Sequence, residues 1–160
     1  MKIGVISDTH IPINCDSIPE KIIECFRGVD MIIHAGDLTE LSVLEQLAVI
    51  TPKVEAVCGN MDSQQATIKL PQKKIIKVGK FKIGLTHGWG PPKNLMDRMA
   101  YEFKNVDAII FGHSHQPINK TKNGVLFFNP GSATDTVFAK EKTVGILEIT
   151  DKIKGKIIFI

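Results

Sequence analysis

The sequence of 160 residues contains few cysteines, and they follow no metal-binding or disulfide pattern. Its three cysteines, Cys15, Cys25 and Cys58, are odd in number and show no C-x-x-C spacing. This usage excludes a disulfide framework and a thiolate metal site, and it is typical of a reducing compartment. We therefore expect a cytoplasmic protein.

Long apolar runs and arginines are also scarce. No stretch approaches the roughly 18 apolar residues of a membrane span, and the first apolar run is interrupted at Asp8, unlike a signal peptide. Of 20 basic residues only Arg27 and Arg98 are arginines, and the lysines are scattered. Proteins that bind nucleic acids cluster their basic residues and favour arginine. The sequence thus predicts neither a membrane partner nor specific nucleic-acid binding.

The remaining composition, 43% hydrophobic and 23% charged, is ordinary for a globular protein. With no internal repeat or linker, we expect a single domain over residues 1–160. The first half alternates strands with helices, which are predicted over residues 19–26 and, with Thr39 as N-cap, over residues 41–48. Such alternation predicts a parallel arrangement with crossovers.

The second half changes character. Strands at residues 75–78 and 81–86 flank a Gly79-Lys80 turn, and Asn123-Gly124 is a strong hairpin signal. A helix is predicted over residues 93–103, and further strands at 117–120, 125–128, 144–149 and 153–160. A parallel first half and an antiparallel second half favour an α/β fold in which two mixed sheets pack together with helices outside.

Five apolar, β-branched runs each end in residues that can bind a metal. The runs end in Asp8-Thr9-His10, Gly36-Asp37, Gly59-Asn60, His87-Gly88 and Gly112-His113-Ser114-His115. Ligands of open α/β sheets bind outside the carboxyl ends of the strands, so these ends could place seven oxygen and nitrogen ligands in one crevice. Four of the five histidines lie in these motifs. The combination indicates a metal centre.

Taken singly, each motif also has a structural explanation. Gly36-Asp37 and Gly59-Asn60 could be simple turns. His34, inside the second strand, is expected to be a core histidine, or one that supports the ligands, rather than a ligand. Trp89 could stack on a substrate, although packing is the favoured interpretation. The Gly-His-Ser-His motif is stronger, because two histidines with one spacer on an extended backbone seldom serve packing.

The order of the five motifs resembles the signature of the calcineurin-like metallophosphoesterases. Gly59-Asn60-Met61-Asp62 and Asn129-Pro130-Gly131-Ser132 are similar to the small, single-domain prokaryotic phosphodiesterase branch. The resemblance implies a four-layer α/β/β/α sandwich that holds two divalent metal ions. It implies one ion held by Asp8, His10, Asp37 and His115, and a second held by Asp37, Asn60, His87 and His113.

The resemblance further implies that Asp37 bridges the two ions and that Asp37, Asn60 and His113 serve in catalysis. A shell of nitrogen and oxygen ligands suits Mn²⁺, Ni²⁺, Fe, Zn²⁺ and Mg²⁺ alike, and ligand identity does not choose among them. We expect Mn²⁺. The implied activity is hydrolysis of small phosphodiesters by a bridging hydroxide between two metals. Two divalent ions exceed the charge of two carboxylates and a hydroxide, which favours an anionic substrate.

Met61 departs from many members of the superfamily, which carry a histidine after Gly-Asn to protonate the leaving group. The departure counts against strong monoesterase activity and, with the short chain, against a protein serine/threonine phosphatase. The alternative function is a binding scaffold resembling the retromer subunit of the superfamily, although a scaffold has no need of a complete ligand set. A homo-oligomer is also possible.

Overall fold

The computed structural model describes all 160 residues of the chain, which contains ten strands and four helices. In chain order these are β1 (Lys2–Ile6), α1 (Glu20–Cys25), β2 (Met31–His34), α2 (Ser42–Ala48), β3 (Val54–Ala56), α3 (Gln64–Lys69), β4 (Lys73–Val78), β5 (Phe81–Thr86), α4 (Leu95–Glu102), β6 (Ala108–Ile110), β7 (Ile118–Lys122), β8 (Val125–Asn129), β9 (Thr143–Ile149) and β10 (Ile153–Phe159). None of the helices is both long enough and apolar enough to cross a membrane.

The strands form two mixed sheets of five strands each, in the orders β10-β9-β1-β2-β3 and β4-β5-β6-β8-β7. In the first sheet β1, β2 and β3 are parallel, as predicted, and β9 returns antiparallel to β1. The predicted antiparallel second half is wrong in part, since β5, β6 and β8 are parallel. The reason is that α4 forms a crossover between β5 and β6, which brings the chain back in the same direction.

Three apolar clusters separate four layers. The cluster between the sheets contains 16 buried residues, among them Val5, Ile33 and Phe128. A second cluster packs α1, α2 and α3 on the outer face of the first sheet, and a third packs α4 on the second sheet. Strands covered on both faces require the near-continuous apolar runs that the sequence contains. The four-layer α/β/β/α sandwich is confirmed.

The helix boundaries differ from the predictions in specific ways. Helix α1 lies within residues 19–26, as predicted, but α2 begins at Ser42 and Thr39 does not cap it. Thr39 has a left-handed backbone, with φ 74°, and lies before the helix. Helix α4 begins at Leu95 rather than at residue 93, because Asn94 has φ 61°. Helix α3 was not predicted.

Both predicted hairpin turns are confirmed. Gly79-Lys80 joins β4 to β5, and Asn123-Gly124 joins β7 to β8 with φ values of 52° and 80°. Positive φ at both central residues is the requirement of the tight hairpin turn that Asn-Gly favours.

Candidate metal centre

The five motifs meet where strands of both sheets end. The loops after β1, β2, β3, β5 and β6 are tied to one another by backbone hydrogen bonds. Asp8 donates its N–H to the Gly36 carbonyl at 3.0 Å, and Gly112 donates to the His87 carbonyl at 2.9 Å. Across the sheets, the His113 N–H donates to the Asp8 carboxylate at 3.2 Å. The tertiary structure thus places all seven predicted ligands in one region.

The first group of donor atoms surrounds Asp8, His10 and His115. His115 Nε2 lies 3.2 Å from Asp8 Oδ1 and 3.4 Å from His10 Nε2. His10 Nε2 lies 3.9 Å from Asp37 Oδ2. These four residues are the set that the resemblance assigns to one ion.

The second group extends from Asp37 to His113. His87 Nε2 lies 3.2 Å from Asp37 Oδ2, and His113 Nδ1 lies 3.0 Å from Asn60 Oδ1. His87 Nε2 is also 3.9 Å from Asp8 Oδ1. Both buried carboxylates, and not Asp37 alone, therefore lie between the two groups of donors.

Three of the histidines are oriented by acceptors outside the site. His87 donates Nδ1–H to the Ala35 carbonyl at 2.8 Å, and His113 donates Nε2–H to the Gly90 carbonyl at 2.8 Å. His115 donates Nδ1–H to the carboxylate of Asp135. In neutral rings the second nitrogen then carries a lone pair, which faces inward. Outer acceptors of this kind fix ring orientation in metal sites.

Those inward nitrogens face oxygen acceptors rather than donors. His87 Nε2 is buried without a hydrogen-bond partner while facing Asp37, and His113 Nδ1 faces the Asn60 side chain. Two lone pairs at such distances repel unless a proton or a cation lies between them. The donor set of imidazole, carboxylate and amide oxygen fits divalent metal ions.

Without a metal, protons take this role. Burial lowers the pKa of His87, but its contact with Asp37 and the charges of Asp8 and Asp37 outweigh burial and raise the pKa to about 9. Burial likewise opposes charge on His115, yet contacts with Asp8 and Asp135 raise its pKa to about 9. For Asp37 burial raises the pKa, but the His87 contact outweighs it and the pKa is lowered.

His34 is a buried structural histidine, and its prediction is confirmed. Its Nδ1 accepts the Gly36 N–H at 3.2 Å, and its Nε2 lies 3.0 Å from Thr9 Oγ1. Complete burial lowers the pKa of His34 to about 4, so the ring is neutral. It supports the loops that carry the ligands.

Asp135 is a site residue that the sequence interpretation missed. Besides contacting His115, its carboxylate accepts backbone N–H groups of Val137 at 2.7 Å and Ala139 at 3.0 Å. Burial raises its pKa, but the Val137 hydrogen bond and His115 lower it overall, so the carboxylate is ionised. Its sequence signal was weak, a single aspartate three residues after Ser132.

The Asn129-Pro130-Gly131-Ser132 motif supports the site through hydrogen bonds to backbone carbonyls of the ligand-bearing loops. Asn129 donates to the Gly112 carbonyl at 2.8 Å, and Ser132 donates to the Asp8 carbonyl at 2.7 Å. Asp62 accepts backbone N–H groups of Thr39 and Gly59. These hydrogen bonds fix the loops on which the ligands lie.

Backbone strain is concentrated at the same place. Five of the seven predicted ligands have left-handed φ angles: Asp8, His10, Asp37, His113 and His115. A non-glycine residue in this region costs on the order of 1 kcal/mol or more. Strain that the surrounding hydrogen bonds maintain at one place is typical of a functional site.

A cavity of about 460 Å³ opens above the donors. His10, Asp37, Asn60, His113 and His115 contribute to its wall, and neither lysine nor arginine lines it. Trp89 lies outside this cavity, where its indole donates to Glu102 at 3.1 Å and Arg98 stacks 5.5 Å from the ring centroid. Neither lysine nor arginine therefore supplies positive charge to a substrate in this cavity.

Comparison with known proteins gives a consistent result. A family model described as the calcineurin-like phosphoesterase superfamily domain matches residues 1–152. A probable metallophosphoesterase of Methanothermobacter thermautotrophicus is 40% identical over 136 residues, which are 84% of this chain and 78% of that protein. A structure of a novel archaeal phosphodiesterase is 28% identical, with a TM-score of 0.81 and coverage of 100% of both chains.

Vps29 of Entamoeba histolytica, in complex with Zn²⁺, is also similar, with 27% identity, a TM-score of 0.76 and coverage of 99% of each chain. The extent of the family match, together with the strand-end motifs in their expected order, shows that this chain belongs to the calcineurin-like phosphoesterase superfamily.

Proposed function

We propose that this protein is a metal-dependent phosphodiesterase that hydrolyses small phosphodiesters. The observation that carries the proposal is the inward orientation of His87, His113 and His115 toward carboxylate and amide oxygens. A structural histidine would direct its free nitrogen to a donor. Here three rings with fixed outer partners leave their inner nitrogens for cations.

Two groups of donors support two ions. Asp8, His10, Asp37 and His115 would hold one ion, and Asp37, Asn60, His87 and His113 would hold the other, with Mn²⁺ the first candidate. When bound, two divalent ions activate a water molecule and stabilise the phosphoryl oxygens of an in-line displacement. Asp37 Oδ1 accepts the Met61 N–H at 2.7 Å, which leaves Oδ2 to be shared.

Charge favours a diester over a more highly charged ester. Asn60 supplies a neutral oxygen where a third carboxylate would cancel the excess positive charge. Neither lysine nor arginine lines the cavity, and the Asp135 carboxylate in its wall is ionised. Two divalent ions would exceed the charge of Asp8, Asp37 and a hydroxide by one unit, which balances the single negative charge of a diester.

The leaving group has no side-chain proton donor. Met61 lines the cavity at the position after Gly59-Asn60 and is half exposed. Asp135 has a lowered pKa and its oxygens already accept several hydrogen bonds. The chain's own groups therefore orient the substrate but do not protonate the departing oxygen, which favours esters of acidic alcohols.

The proposal is tested by removing metal with a chelator and restoring it with Mn²⁺. We expect about two Mn²⁺ per chain by elemental analysis, and hydrolysis of bis(p-nitrophenyl) phosphate that is lost with the chelator and returns with the metal. We expect p-nitrophenyl phosphate, a monoester, to be hydrolysed more slowly. One ion at most after loading, with hydrolysis unchanged by chelator, would contradict the proposal.

A binding scaffold is the second candidate. The similarity to the Zn²⁺ complex of Vps29 favours considering it, and it means that metal content cannot separate the two functions. Turnover can. A protein that binds two ions and hydrolyses no mono- or diester would be a scaffold.

A further inference from the structure

Part of the lining of the cavity over the metal donors is apolar and exposed. Ile13, Met61, Val137 and Phe138 line it, with exposed fractions of 66%, 51%, 79% and 80%. Large exposed apolar side chains that adjoin one another mark binding sites more often than isolated ones do. These four residues, here called the apolar wall, adjoin His10, His113 and His115 in the same cavity.

Phe138 is held in a fixed relation to the metal donors. Its backbone N–H donates to Asp135 Oδ2 at 3.1 Å, and the same carboxylate accepts the proton of His115 Nδ1. The Phe138 ring centroid lies 6.2 Å from that of His115, with 73° between the ring planes. The loop that presents the aromatic ring is therefore tied to a predicted ligand through one side chain.

The charges of the cavity restrict what the apolar wall can bind. Lysine and arginine are absent from its lining, and Asp135 adds a negative charge beside Phe138. A second phosphate or a carboxylate on the substrate would thus be repelled. A volume of about 460 Å³ lies within the usual range for small-molecule sites.

We propose that Phe138, with Ile13 and Val137, forms a specificity subsite for a flat, uncharged aromatic substituent on the phosphodiester. An exposed phenylalanine ring packs edge-to-face or offset against another aromatic ring, a preference that an aliphatic group of equal size does not satisfy. This inference rests on the proposed phosphodiesterase function and names the substrate class of the same site.

The test uses three uncleavable diester analogues that differ in one substituent. They are benzyl(methyl)phosphinate, cyclohexylmethyl(methyl)phosphinate and dimethylphosphinate, each with one negative charge and no P–O–C bond to hydrolyse. Calorimetry on the Mn²⁺-loaded protein measures their dissociation constants. We expect the benzyl analogue to bind about tenfold more tightly than the methyl analogue and more tightly than the cyclohexylmethyl analogue.

Variants of Phe138 test whether this residue is responsible for the preference for the benzyl analogue. In Phe138→Ala the benzyl-to-methyl ratio should fall to near one, and in Phe138→Leu the benzyl analogue should lose its advantage over the cyclohexylmethyl analogue. Tyr101→Ala is the matched control, since this aromatic residue is 88% exposed on α4, away from the cavity. We expect Tyr101→Ala to keep the wild-type ratios.

The outcomes separate the subsite from the function. An unchanged benzyl-to-methyl ratio in Phe138→Ala overturns the subsite, even if bis(p-nitrophenyl) phosphate is hydrolysed. The protein could instead hydrolyse no ester and still prefer the benzyl analogue, with that preference lost in Phe138→Ala. This result would overturn the phosphodiesterase function and keep the aromatic subsite. A dimer in light scattering that Phe138→Ala converts to a monomer would show that a second copy covers the apolar wall, and would overturn the proposal.

Discussion

At the scale of single residues, the two buried carboxylates, Asp8 and Asp37, direct their oxygens toward different pairs of histidines. Asp37 uses Oδ1 for the Met61 N–H and directs Oδ2 toward His10 at 3.9 Å and His87 at 3.2 Å. Asp8 directs Oδ1 toward His115 at 3.2 Å and His87 at 3.9 Å. Both carboxylates therefore lie between the two groups of donors.

We expect Asp37→Asn to be the most damaging change of a ligand, because it removes charge from both proposed sites. Hydrolysis should fall about a hundredfold or more, since even loss of an outer partner of a metal ligand costs about 10–100-fold, and titration calorimetry should show weaker binding of both ions. His115→Ala should weaken mainly one. If His115→Ala or Asp8→Asn proved more damaging than Asp37→Asn, the bridging role would belong elsewhere.

Met61 determines the expected dependence on the leaving group. A positioned general acid contributes about 10²–10⁴-fold, most for basic alkoxides. Since Met61 cannot donate a proton, we expect rates to depend steeply on leaving-group pKa across aryl and alkyl phosphodiesters.

Met61→His should improve the alkyl esters selectively. Its backbone N–H bond to Asp37 remains available, so Met61→Leu serves as the control without a proton donor. A flat dependence in the wild type would mean that another residue already supplies the proton.

At the scale of elements, the loops after the strands approach one another closely, and two glycines permit this. A Cβ on Gly112 would lie 1.9 Å from Ser7 Oγ and 2.6 Å from Asp8 Oδ2. A Cβ on Gly59 would lie 2.2 Å from Asp37 Oδ1. The glycines of the motifs are therefore required by the ligands beside them.

We expect Gly112→Ala to displace Asp8 and to weaken metal binding as well as folding. Overpacking of this kind costs about 1–3 kcal/mol of unfolding free energy, measurable by denaturant titration. Gly79→Ala is the control, since Gly79 has φ 57° and no atom within 4 Å of its Cβ position. It should lower stability by roughly 1 kcal/mol through backbone strain alone and leave metal affinity unchanged.

At the scale of the whole molecule, buried histidines make the metal-free protein sensitive to pH in both directions. The raised pKa values of His87 and His115, about 9, contribute stability that is complete below pH ~6.5 and lost as pH rises through 9. His34, with a pKa lowered to about 4, contributes stability that is lost as pH falls from ~6.5 toward 4.

Thermal unfolding of the metal-free protein should therefore show its highest midpoint near pH ~6.5. Loading with Mn²⁺ should remove the alkaline loss, because metal ions replace the protons on His87 and His115. A midpoint that rises between pH 7 and 9 without metal would contradict the assigned pKa directions. The measurement is a series of melting curves from pH 4 to 10, with and without metal.

Much of the fold could be predicted from local sequence. Asn123-Gly124 specifies its hairpin because both residues tolerate positive φ, and the apolar runs specify strands that are buried on both faces. Thr39, which does not cap a helix, and α3, which was not predicted, show where local sequence is insufficient. The Thr39 backbone lies beside Ile11 in an isolated bridge and donates its N–H to Asp62, contacts that only the folded loops provide.

The sequence by itself determined the family resemblance and the seven candidate ligands, because strand ends carry those residues in a fixed order. Only the tertiary structure decided how they face one another. It brought strands of two sheets together, set the histidine rings through Ala35, Gly90 and Asp135, and placed Phe138 beside His115. Those relations depend on distances between segments far apart in the chain, which no local pattern encodes.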